Sequence, residues 1–157
     1  MNTDVLDRPN GLEGEEQTFV TLMIGDQLCG VPVLSVRDIL NEQLITRIPL
    51  APPEIAGSLN LRGRIVTAID LRRRLNLATP ATSQKCMSIV AEQGGELYAL
   101  LVDQVVEVMS LKTSAFEQNP ATLASTWAAY SCGIYRLEDR LLVVLDVGRL
   151  LALGAAG

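Results

Sequence analysis

Residues 55–75 read IAGSLNLRGRIVTAIDLRRRL, and the second part of that stretch returns later in the chain. Arg64–Leu75 lies without a gap over Arg140–Leu151, setting Asp70 on Asp146. A second pair of blocks repeats in the same way, Leu28–Ile39 over Leu97–Val108, so that Val36 meets Val105 and Ile39 meets Val108. The blocks keep their order. The chain therefore reads as two related β-rich subdomains, roughly 17–83 and 84–153, behind an acidic and flexible tail at 1–16. Two similar units side by side enclose a groove, and a groove without catalytic groups implies binding.

Working outward from the repeat, Gln17–Ile24 and Leu28–Val31 flank a Gly25-Asp26 turn and read as a hairpin. After Pro32 the spacing of Val33, Val36, Ile39 and Leu40 predicts a short helix. Pro53 suits the first turn of another, ending near Gly57. Leu59–Arg62 and Arg64–Ile69 make a second hairpin, and Asp70 is placed to cap a helical turn through Leu75. Ala78–Ser83 is the link between halves. In the second half, Cys86–Glu92 is followed by the Gly94-Gly95 turn and one long strand from Glu96 to Met109, bent near Asp103. Residues 112–127 read as a polar loop. Ser131–Leu137 and Arg140–Leu145 form the last hairpin, with Asp146 capping a turn to Leu151. The expected fold class is all-β: each half a strongly bent antiparallel sheet, a five-stranded barrel with short helices.

Composition narrows the function. With 48% hydrophobic but only 4% aromatic residues, the core has to be built from Val, Leu, Ile and Ala. The net charge of −5 argues against a nucleic-acid binder, which needs a basic footprint. No secretory leader pattern and no apolar span of about 20 residues is present. Cys29, Cys86 and Cys132 form no CxxC pair and suit a reducing compartment, so the expected location is cytoplasmic. Histidine is absent, which removes histidine-based triads, phosphohistidine transfer and most zinc sites. No phosphate-binding glycine loop occurs. The expectation is a non-catalytic protein without cofactor or metal. Asp70 and Asp146 remain the formal rival, an acid–base pair of a small hydrolase; their other reading is helix capping.

For binding, Arg62 stands out. It sits between Leu61 and Gly63 on a hairpin that the glycine would let approach other backbone, where its fork can meet a carboxylate, either Asp38 or one on a partner. Arg72, Arg73 and Arg74 read equally as a solvated face. Val36, Ile39, Val105 and Val108 are core by residue type, or line the groove and receive an apolar helix. Trp127 is a local plug or an exposed anchor. A generic SH3-like peptide binder would need an aromatic groove, and two Phe, three Tyr and one Trp supply little.

The ordered segments FVTLMIGDQLCGVPVLSVRDIL, TRIPLAPPEIAGSLNLRGRIVTAIDLRRRL, LYALLVDQVVEV and GIYRLEDRLLVVLDVGRLL, spanning about Phe19 to Leu151, resemble the CheW-like domain family, whose members join chemoreceptors to the histidine kinase CheA. The resemblance implies a single CheW-like domain over 17–157, formed by two intertwined five-stranded SH3-like barrels. It also implies no catalysis and no membrane insertion. A groove takes the receptor's cytoplasmic helical tip, and separate faces take the regulatory domain of CheA. The receptor positions fall here on Val36, Gly57, Arg62 and Val108, with Asp38, Ile39, Ser58, Asn60 and Val105 beside them. Asp38 stands where the family usually has Glu, which shortens its reach to Arg62, and Thr67-Ala68 replaces a common Pro-Val. The same role in a twitching-motility or other chemosensory-like pathway is the alternative.

Overall fold

A computed structural model describes residues 15–41, 43–77 and 87–152. The tail before residue 15, the 78–83 link and Cys86 lie outside them. The described chain forms β1 (Glu16–Ile24), β2 (Gln27–Pro32), β3 (Val36–Leu40), β4 (Ile55–Leu61), β5 (Arg64–Asp70) and α1 (Leu71–Arg74), then β6 (Met87–Gln93), β7 (Glu96–Val102), β8 (Gln104–Lys112), α2 (Ser125–Ala128), β9 (Ser131–Arg136), β10 (Leu141–Leu145) and α3 (Val147–Leu150).

The strands form two five-stranded sheets, ordered β8-β1-β2-β10-β9 and β3-β6-β7-β5-β4. Advancing each strand number by five, with wrap-around, turns one order into the other, so the sequence repeat is a repeat of topology. The halves exchange hairpins. β1–β2 joins the sheet of β8, β9 and β10, while β6–β7 joins the sheet of β3, β4 and β5. The strands of one sheet thus lie within 36–102 and those of the other within 16–32 and 104–145, and both cross the 83/84 division of the repeat.

The apolar runs follow from this exchange. Along β1, Val20, Leu22 and Ile24 enter the core shared by the two sheets, while Phe19 packs with Leu28, Tyr135, Leu142 and Val144 inside its own barrel. In the other sheet, Ile69, Ile89 and Leu100 face the shared core; Val66, Ala68, Val90 and Ala99 fill the second barrel. Successive side chains of a strand point to opposite faces. A strand with apolar cover on both faces loses its polar alternation.

Several expectations are corrected. Each sheet is mixed rather than antiparallel, with β2–β10 and β5–β7 parallel. The expected helix after Pro32 is a single 3₁₀ turn at Val33–Ser35, and β3 then pairs with β6 through Ile39↔Ile89. Strand pairing of β-branched residues overrides the helical spacing. The helix after Pro53 is absent too: Ile55 N–H closes a turn onto Pro52 O (3.0 Å) and β4 begins there. The long strand 96–109 is two strands in different sheets, broken at Asp103. The 112–127 loop contains a 3₁₀ turn and opens α2, where Trp127 is buried as a plug.

Candidate binding surface

The β4–β5 turn consists of Arg62 and Gly63, both left-handed at φ 51° and 84°. Such a turn matches the twist of its flanking strands. For Gly63 the conformation is cheap, and this is the glycine's use; a Cβ there would meet open space, so no close backbone approach is involved. For Arg62 it costs about 1 kcal/mol. Asn60 Oδ1 accepts from Gly63 N–H (3.0 Å) and braces the turn.

The turn carries the Arg62 guanidinium to β3, where Nη1 lies 3.2 Å from Asp38 Oδ2. Asp38 Oδ1 accepts from Ile39 N–H (2.8 Å), whereas the enclosed Oδ2 receives no directed hydrogen bond. The contact is an ion pair and not a fork. With the Arg62 side chain 79% exposed, it adds little stability and leaves most of the guanidinium N–H groups facing solvent. Beside it Arg37 Nε donates to Glu92 Oε1 (3.1 Å). Arg37, Asp38, Leu61, Arg62, Val90 and Leu97 border a hollow of about 200 Å³.

Gly57 is buried for a different reason. Thr46 runs alongside β4, exchanging N–H···O bonds with Ser58 (2.8 Å each way), and a Cβ on Gly57 would fall on the Thr46 carbonyl. Gly133 plays the same part on β9 beneath Phe116 and Glu117. Gly57 and Ser58 therefore seat the Thr46 segment against β4.

The four apolar positions divide. Val36 on β3 and Val105 on β8 are half-buried against the shared core, whereas Ile39 and Val108 are 38% and 60% exposed. The structure thus brings Asp38 on β3 within reach of Asn60 and Arg62 at the end of β4, although β3 and β4 are the opposite edge strands of their sheet. It places Val105 and Val108 on the edge strand of the other sheet.

Sequence reasoning missed the strongest polar site. Arg72 Nε and Nη2 fork onto Asp103 Oδ1 (2.9 Å) and Oδ2 (2.6 Å), and Gly25 N–H donates to Oδ2 (2.7 Å). Partial burial pushes the Asp103 carboxyl up, but the hydrogen bonds from Arg72 and Gly25 and the Arg72 charge together hold it below the ordinary carboxylate range. The one signal was the acid interrupting the apolar run at 103. Arg74 is structural as well: Nε and Nη2 donate to Leu150 O (2.8 Å) and Arg149 O (3.0 Å) at the end of α3, with the guanidinium 5.0 Å from the Tyr130 ring centre.

Asp70 accepts from Arg72 N–H (3.0 Å) and Asp146 from Arg149 N–H (3.1 Å). They cap separate helices and border separate hollows, which leaves the hydrolase pairing without a shared cleft. Among the described residues, no group of three or more His, Cys, Asp and Glu side chains is placed to hold a metal. No helix there is long and apolar enough to cross a membrane.

Two intertwined five-stranded SH3-like sheets, with exposed polar and apolar groups on edge strands and turns, define a β-rich fold. The family model described as "CheW-like domain" matches residues 18–154, and the chain belongs to that family. It is 30% identical over 136 residues to the chemotaxis protein CheW of Klebsiella aerogenes, covering 87% of this chain and 82% of the relative. To CheW of Bacillus subtilis it is 29% identical over 136 residues, 86% of each. The solved structure of scaffolding protein TtCheW from Thermoanaerobacter tengcongensis superposes with a TM-score of 0.79 at 27% identity, over 89% of this chain and 95% of that one.

Proposed function

We propose that this chain is a non-catalytic cytoplasmic adaptor of chemotaxis, coupling the helical cytoplasmic tip of a chemoreceptor to the regulatory domain of a CheA-type histidine kinase. The receptor tip lies against Arg62, Asp38, Ile39 and Val108, with Val36 and Val105 beneath and Gly57, Ser58 and Asn60 holding the wall; the kinase uses a separate face.

The observation that carries the reading is Arg62, held in a left-handed turn and half-committed to Asp38. A strained, exposed Arg whose intramolecular pair is loose is poised to exchange that partner for a carboxylate on an incoming helix. Ile39 and Val108 supply apolar surface of the kind a helix face would cover. The test is calorimetric titration with a recombinant receptor hairpin-tip fragment. Arg62→Ala is expected to lose about 2 kcal/mol of binding while its melting stays within about 0.5 kcal/mol of the parent. Parental affinity in that variant would remove Arg62 from the surface. Absence of binding by the parent protein would remove the receptor reading.

A further inference from the structure

The repeat allows each junction between the sheets to be compared with its counterpart. At one crossover, β7 leaves one sheet and β8 enters the other through Asp103, which is tied to the β1–β2 turn by Gly25 N–H and to α1 by the Arg72 fork. Asp103 N–H also donates to Met23 O (3.0 Å). At the related crossover from β2 to β3 the aligned residues are Leu34, Gly94 and Gly148 in place of Asp103, Gly25 and Arg72. There Leu34 is 88% exposed, and Leu34, Gln93 and Gly148 border an open hollow of about 390 Å³. The aligned clamp residues are therefore present at one junction and absent from the other, where the exposed Arg37–Glu92 ion pair borders the same hollow.

What differs between the junctions is the strand each one launches. Val105 is two residues beyond Asp103 and Val108 five, so the clamp lies at the root of the β8 edge. We infer that the Arg72–Asp103–Gly25 clamp is a positioning device that fixes the β8 edge relative to the β3–β4 surface, holding Val105 and Val108 in place for a partner helix. The partner half of this inference rests on the receptor reading above; the positioning half does not.

The test uses the full chain with Asp103→Asn, and Arg72→Lys as a second variant that keeps the charge but loses the fork. Amide hydrogen exchange of the free protein is expected to be about tenfold faster across Val105–Val108, with Ile39 and Leu40 on β3 unchanged. Affinity for the receptor hairpin-tip fragment is expected to fall about threefold to thirtyfold. Unchanged exchange on β8, or equal acceleration on β3 and β8, overturns the positioning role, because the second pattern is general loss of stability. Faster β8 exchange with parental affinity overturns the partner half. If the parent itself fails to bind the fragment, the receptor reading falls, and the exchange pattern still decides the positioning role. Should Asp103→Asn not fold, Arg72→Lys gives the same two readings.

Discussion

Replacing valine by threonine swaps a methyl for a hydroxyl at nearly constant volume, and Val36 and Val108 should answer it differently. At Val108, on the open edge of its sheet and 60% exposed, a hydroxyl stays hydrated. Val108→Thr should therefore change stability by no more than about 0.5 kcal/mol. Val36 is packed on the shared core. A buried hydroxyl without a partner costs about 1–3 kcal/mol, and half-burial puts Val36→Thr near the lower end, about 1 kcal/mol. For a chain of this size that lowers the melting temperature by about 2–4 °C. Thermal melting and titration with the receptor hairpin-tip fragment, run on both variants, separate the roles. Val108→Thr should melt like the parent and bind more weakly, because the partner's apolar face loses dry contact. Parental affinity in Val108→Thr would take β8 out of the binding surface. A parental melt for Val36→Thr would mean that its side chain is not held by the core.

Arg74→Ala removes two charge-assisted bonds to the end of α3 and should cost about 1.5–3 kcal/mol, read as a lower denaturant midpoint; an unchanged midpoint would show those carbonyls to be served by water. Asp103 has a lowered carboxyl pKa in the folded state, so its contribution is present above the unfolded value of about 3.9 and is lost as pH falls through the lower folded value. The stability gap between parent and Asp103→Asn should accordingly be constant from neutral pH to about pH 5 and close below pH 4, with a pH-independent gap counting against the charge. Gly57→Ala drives a Cβ onto the Thr46 carbonyl and should destabilise by about 1–3 kcal/mol; a neutral melt would mean that the Thr46 segment moves freely. In a Cys86→Ser background, Cys132 should react slowly with an alkylating reagent under native conditions and Cys29 only on unfolding, since burial pushes the Cys29 thiol far up; early labelling of Cys29 would contradict its place in the shared core.

Apolar pattern, turn glycines and N-caps are local signals, and they made β1, β2, β4, β5, β6, β9, β10 and the two Asp-capped turns legible, while β3 read as a helix and β7 with β8 as one strand. Sheet membership was less legible. Nothing local at Asp103 says that the chain changes sheets there, and the parallel pairing of β5 with β7 joins elements 31 residues apart at Thr67↔Tyr98. The helix expected over Val33–Leu40 failed because its i,i+3 spacing is local, whereas β3 is set by pairing with a strand 50 residues away at Ile39↔Ile89. At the site, the sequence offered Asp38 as one of two possible partners for Arg62, and the choice depended on the opposite edge strands β3 and β4 coming within reach of each other. Arg72 could not be paired from sequence, because its partner depends on where two crossovers meet. Exposure separated Val108 from Val36, and residue type alone cannot do that.

The exchange of hairpins sets the order in which this protein can be completed. All five strands of the β3-β6-β7-β5-β4 sheet lie within residues 36–102, whereas the other sheet joins β1 to β8 across the register pair Glu16↔Lys112. The β1–β2 hairpin is made before every other described strand and yet finds its last partners only after β10 has been made. Until then Phe19, Val20 and Leu22 lack their final cover, and closing so long a loop is slow. The topology therefore favours closing the sheet within 36–102 first, with residues 16–32 and 104–145 pairing with each other afterwards.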